Sequence, residues 1–475
     1  MTEIHELTAL EQYRFLQRRQ LSVREVTDHY LERIERLNPS LGALYTVTPE
    51  AARARADELD ASDDRTAPLW GLAVGDKDLQ RRAGVRTTFG SRLFEHFVPE
   101  ESDELPLQLD AAGAVSLGKT ATPEFGLPSY TETLIAPPAR DPYDLALGAG
   151  GSSGGAAVAV AAGLLPFAPG SDGGGSIRIP AAACGLVGLK PTRGLVPAGS
   201  GLDSLAGLPV SGPIARTVTD AALLLDGMIA RRGSRILHHH SLRAPTDDDG
   251  QFLGAAIRGE GRFQIGVTID SPWLTAYELE LAPGARAALE VARNTLVALG
   301  HGMEEFALAP APEYAPAFKV IWQAGASTLP ADESNEHLLE PLTRWLMHRG
   351  RELPASALVG ALATLARYER SLIAQLDRFD AVLTPSMALT PRPIGWYDSE
   401  DGEHNLAQQV LYTPYTSFVN VSGLPAITLP VHMTPEGIPM GAQLIGRPGG
   451  EATLLALGRQ LERRLHWESV HPPMF

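Results

Sequence analysis

Two clusters of glycine and serine, Gly150 to Gly155 and Gly170 to Ser176, flank an almost unbroken run of small and branched apolar residues inside the stretch Gly148 to Thr192. Apolar runs of this kind are buried, and dense glycine lets other groups approach the backbone closely. After each cluster the pattern becomes helical. Ser152 and Ser153 precede Gly154 to Gly163, and Ser176 precedes Ile177 to Gly185. Both serine groups therefore stand at predicted helix starts, where free N–H groups and the positive end of the dipole favour an anion. Leu164 to Ala168, short, apolar and bounded by glycines, predicts a buried strand between them. Helix, strand, loop and helix then bring both serine groups to one place.

Around this stretch the alternation of helix and strand predicts an α/β fold. Thr8 to Leu59 reads as a helical lead-in, with Ser22 and Glu25 forming a capping box. Pro68 to Val74 reads as a strand that runs into a turn carrying Asp76 and Lys77. Leu105 to Leu109 and Val115 to Lys119 continue the alternation, and Thr217 to Met228 is a well-patterned helix. Arg231 to Gly261 reads as an exposed excursion; its His238, His239 and His240 are adjacent, converge poorly on one ion, and predict a solvated loop and no metal site. Further on, Phe263 to Val267 and Phe379 to Pro385 read as strands, and Glu451 to Leu465 as an amphipathic helix.

The serines pose a chemical question. Ser176 follows Gly173, Gly174 and Gly175, so several N–H groups can converge before its hydroxyl, as an oxyanion hole requires. A serine nucleophile needs a base, yet no histidine lies between His96 and His238. Lys77 is the candidate that strand-end placement offers, provided burial leaves it neutral, with Ser152 as a proton relay between the two. Two other readings use the same glycines. Gly151, Ser153 and Gly155 match the G-x-S-x-G nucleophile elbow, although RDPYDLALGAG before them makes a poor buried strand. A phosphate-binding loop lacks its G-K-[ST], since Lys190 is followed by Pro191; a non-catalytic anion-binding module remains the lesser hypothesis.

Charge narrows the partners. The formal net charge of −16, from 40 Lys and Arg against 56 Asp and Glu, argues against direct contact with nucleic acid or an anionic membrane. The sole cysteine, Cys184, cannot form an internal disulfide, so a cytoplasmic, reducing location is the expectation. No secretory leader is visible, and Ala156 to Pro169, the longest apolar run, is too short to span a membrane.

GAGGSSGGAAVAVAAG followed by GSDGGGSIRIPAAACGLVGLKPT resembles the signature of the amidase signature family, serine hydrolases with a Ser–cis-Ser–Lys triad. PLWGLAVGDKDL, GKTATPEFG, NVSGLPAITLP and GIPMGAQLIGRP extend the resemblance in the right order from about Pro68 onward. It implies an amidase signature fold, a central mixed β-sheet flanked by helices on both faces. Residues 1–65 would be a helical lead-in, 66–230 the signature core, 231–378 a variable substrate-pocket region and 379–475 the C-terminal part of the same core. Ser176 would be the nucleophile, Ser152 the serine after a cis peptide, and Lys77 the base acting through it. Gly173, Gly174, Gly175 and Ser176 would supply the oxyanion hole, with Ser153 bracing the relay and Asp172 and Arg178 holding the loop. Phe125, Gly126 and Trp322 are candidate substrate contacts, and no metal or cofactor is implied. The expected activity is hydrolysis of a small-molecule carboxylic amide to acid plus ammonia or amine. The alternative is the glutamine-hydrolysing subunit of a tRNA amidotransferase, which would need partner proteins. A homodimer is left open. Asp76 departs from the family, which has an apolar residue before the lysine, and is expected to point away.

Overall fold

The computed structural model describes residues 3–197, 205–229 and 252–475, so the histidine run and Arg231 to Gln251 of the predicted excursion lie outside it. The strands are β1 (Leu44–Val47), β2 (Ala73–Lys77), β3 (Val115–Thr120), β4 (Arg140–Asp141), β5 (Asp144–Gly148), β6 (Phe167–Asp172), β7 (Val187–Lys190), β8 (Val210–Ala215), β9 (Gln264–Val267), β10 (Gly302–Glu305), β11 (Ala381–Pro385), β12 (Ala426–Met433) and β13 (Pro439–Gly446). Among the described residues eight of them form one sheet in the order β10-β9-β11-β13-β12-β7-β8-β6. It is mixed: β10, β9 and β11 run parallel, and from β11 onward each neighbour is antiparallel. A second sheet, β1-β3-β2, pairs β2 parallel with β3.

Period-two burial shows why helices must cover both faces of the large sheet. Ile427, Leu444 and Leu383 belong to one hydrophobic cluster, whereas their strand neighbours Ala426, Ile445 and Val382 belong to another. Alternate side chains point to opposite faces, so each cluster is the interior of one layer. The first contains the helices Gly154–Ala161, Val218–Ile229, Pro283–Ala298 and Glu451–Leu465. The second contains Tyr314–Ser327, Ala355–Leu376 and Ser417–Ser422. The expected mixed α/β architecture is the observed one.

Local expectations differ where pairing comes from afar. Leu44–Val47 lies within the predicted helical lead-in yet is a strand, because β3 offers it a ladder that local pattern does not reveal. The polar Gly75, Asp76 and Lys77, expected as a turn, continue β2 through pairing with Lys119 and Thr120. The strand predicted over Leu164 to Ala168 instead runs Phe167–Asp172, where β8 pairs with every residue of it. That shift carries the strand into the second glycine cluster, as far as Asp172.

Candidate active site

Lys77 is the last residue of β2 and is 2% exposed. Its Nζ lies 2.7 Å from Ser152 Oγ, 3.0 Å from Ser171 Oγ and 3.3 Å from the Ser171 carbonyl oxygen. Burial pulls the amine down to about 7, with the Asp172 carboxylate acting in the opposite direction. A neutral amine has two N–H groups and one lone pair. The two oxygens of Ser171 can accept both N–H groups, which leaves the lone pair facing Ser152. Asp76, adjacent along the strand, points elsewhere: Arg82 Nε and Ser116 Oγ donate to its Oδ2 at 2.6 and 2.8 Å. Burial would raise the Asp76 carboxyl, but the Arg82 guanidinium prevails and holds it below its ordinary value.

Ser152 follows a cis peptide from Gly151, and Ser153 begins the helix Gly154–Ala161. Ser153 N–H donates to the Ser176 carbonyl at 3.1 Å, and Ser153 Oγ donates to the Ser171 carbonyl at 3.2 Å. The Ser153 side chain thus ties the first serine pair to β6. The elbow reading fails on the preceding hairpin: β4 and β5 form a two-stranded ribbon whose second strand is alternately exposed, apart from the large sheet. Cys184 is wholly buried, and burial pushes its thiol well up, which makes it a packing residue.

Ser176 is 8% exposed and opens onto two cavities. The turn before it is shaped by Asp172. Asp172 Oδ1 accepts from Gly175 N at 2.6 Å, and its Oδ2 accepts from Ile177 N at 3.2 Å. Arg178 forks onto the same carboxylate with two bonds of 2.9 Å, and Asn420 Nδ2 adds another of 2.9 Å. Arg178 also reaches Gln443 Oε1 and Asn420 Oδ1, at 2.8 and 2.6 Å. Burial opposes the Asp172 charge, but Arg178 outweighs it and holds the carboxyl far below its ordinary range. Gly175, at φ +134°, leaves no room for a side chain: a Cβ would come within 2.6 Å of Ile179 Cδ1 and run into the Thr416 hydroxyl.

This wiring corrects one expectation. The Gly175 N–H is engaged by Asp172 and is not free for an oxyanion. Among the described residues the N–H groups of Gly173, Gly174 and Ser176 have no protein acceptor, and these three remain the donors on offer. Sequence reading did not single out Ser171, Thr416, Asn420 or Gln443. Asn420 and Gln443 sit inside two of the motifs that carry the family resemblance, a signal that could have found them. Ser171 differs only in facing the opposite side of β6 from Asp172.

Removing one member of the buried ion pair should be costly. Asp172→Asn leaves the Arg178 guanidinium buried beside a neutral partner, and we expect a loss of about 3–5 kcal/mol, read as a lower thermal unfolding midpoint. An unchanged midpoint would mean that the pair does not hold this turn.

Of the two cavities that meet at Ser176, the larger holds about 340 Å³ and takes in Ser152, Phe125, Gly126 and Trp322. The smaller holds about 60 Å³ and takes in Trp322, Phe318, Leu406 and Val410. No charged side chain lines either among the described residues. Nor is any described helix long and apolar enough to cross a membrane. A family model described as Amidase matches residues 25–455. "Putative amidase AmiB2" of Mycobacterium tuberculosis (strain ATCC 25618 / H37Rv) is 37% identical over 98% of this chain and 97% of its own. A glutamyl-tRNA(Gln) amidotransferase subunit of Halorhodospira halophila (strain DSM 244 / SL1) is 35% identical over 99% of this chain and 100% of its own. The solved structure of a 6-aminohexanoate cyclic dimer hydrolase superposes with a TM-score of 0.88 at 28% identity, covering 99% of both chains.

Proposed function

Because this chain belongs to the amidase signature family, we propose that it cleaves an uncharged carboxylic amide through an acyl-enzyme on Ser176, with Lys77 and Ser152 moving the protons. The chain is an amidase, a hydrolase of carbon–nitrogen bonds other than peptide bonds, acting on small-molecule amides. The observation that carries the finer reading is the buried 2.7 Å contact between Lys77 Nζ and Ser152 Oγ. In this reading the neutral amine takes the Ser152 proton while Ser152 takes that of Ser176, whose oxygen attacks the carbonyl carbon. The developing oxyanion meets the N–H groups of Gly173, Gly174 and Ser176. Collapse breaks the carbon–nitrogen bond as Ser152 returns a proton to the departing nitrogen and Lys77 re-protonates Ser152. Water, deprotonated by the same relay, then attacks the ester, and acid leaves with Ser176 restored.

Residues 66–230 and 379–475 would supply the catalytic core and 231–378 part of the pocket wall, through Phe318 and Trp322. Among the described residues the lining is uncharged, which favours this reading over the glutamine-hydrolysing one: a zwitterionic amino acid loses its water on entry with no opposite charge among them to replace it. With its one cysteine buried, a cytoplasmic location suits the chain. Purified protein assayed on apolar amides and on glutamine should release amine or ammonia from the former at least tenfold faster. Preference for glutamine would replace this reading with the amidotransferase one.

A further inference from the structure

The two cavities divide the substrate at its scissile bond. Resting on the function just proposed, we infer that this enzyme prefers amides with a short acyl group and a bulky apolar amine, the amine departing through the larger cavity. Three substituents of the tetrahedral carbon have assigned directions. The attacking oxygen is Ser176 Oγ, the oxyanion faces the glycine turn, and the nitrogen must face Ser152, which returns its proton. Of the two cavities only the larger contains Ser152. The nitrogen substituent therefore extends into the larger one, and the acyl group takes the remaining direction, into the smaller.

Size then sets the preference. At roughly 10–15 Å³ for each water-sized occupant, the smaller cavity of about 60 Å³ admits around five heavy atoms. The larger, at about 340 Å³, admits an aromatic ring with room to spare. Its wall is apolar, built from Leu79, Leu208, Ile321 and Leu329 among others. Trp322, like Leu127, lines both cavities. Its ring stacks on Phe318 at a centroid distance of 5.3 Å, its Nε1 donates to the Leu127 carbonyl at 3.3 Å, and its far edge lies 3.6 Å from where a Cβ on Gly174 would stand. So braced, it keeps a long acyl chain from spilling into the larger space.

Acetanilide and 2-phenylacetamide test this directly, because they are isomers with the ring on opposite sides of the amide. We expect kcat/KM for acetanilide to exceed that for 2-phenylacetamide at least tenfold. Two variants separate pocket fit from intrinsic reactivity. Gly325 borders the larger cavity, and a Cβ there would meet nothing within 4 Å; Gly325→Leu should fill that space, improve local helix propensity, and reduce the ratio tenfold or more. Leu406 borders only the smaller cavity, and Leu406→Ala should raise kcat/KM for hexanoyl anilide relative to acetanilide by about tenfold. Equal or better turnover of 2-phenylacetamide, or a ratio indifferent to Gly325→Leu, overturns the inference. If neither amide turns over while a fluorophosphonate still labels Ser176, the inference also fails but the nucleophile stands. Failure of that labelling removes the proposed function itself.

Discussion

Replacing Ser176 with alanine should lower kcat roughly a million-fold, the scale seen when a serine nucleophile is deleted from a working relay. It should also abolish labelling by a fluorophosphonate. The change is confined to one oxygen. Ser176 Oγ is absent from the hydrogen bonds that shape the turn, which run through Asp172, Gly175, Ile177 and Arg178. The folded protein should therefore unfold at an unchanged temperature while its chemistry disappears. Appreciable hydrolysis by pure Ser176→Ala would transfer the nucleophile's role elsewhere.

The second large effect is at Lys77. A general base contributes about 10²–10⁴ in rate, and because in the proposed mechanism Lys77 would serve both acylation and deacylation we expect Lys77→Ala at the upper end of that range. Its pH dependence has a definite sign. In the proposed mechanism the reactive form is the neutral amine, whose fraction grows as pH rises, and burial has brought the pKa down to about 7. Hence kcat/KM should climb about tenfold per pH unit below 7 and level off above it. Lys77→Arg should not rescue, since a guanidinium stays charged throughout this range. A flat profile from pH 5 to 9 would mean that Lys77 is not the titrating base.

Much of this was readable from residue order, and the exceptions have a physical pattern. The serine clusters, the helices that follow them and the lysine at a strand end are local features, and local features survive folding. What escaped reading depended on distant partners. β1 becomes a strand because β3 is present, and Lys77 lies inside a ladder because Thr120 pairs with it. Ser171 looks like any serine beside a glycine until β6 is extended through Asp172; only then does its hydroxyl meet the lysine. Likewise the family resemblance implied four oxyanion donors, but the Asp172 carboxylate claims Gly175. An N–H counted from sequence is an N–H whose acceptor has not yet been found.

The Asp172–Arg178 pair also bears on the order in which the protein matures. Every residue of the proposed relay has been synthesised by position 176, yet the turn that holds Ser176 is tied to Asn420 and Gln443, 242 and 265 residues beyond Arg178. Contacts of such span carry a larger loop-closure cost than local ones. A nascent chain halted before Asn420 would carry a complete set of reactive groups with a buried guanidinium half unsatisfied and the glycine turn unbraced. The bracing of this turn thus comes from the last eighth of the polypeptide.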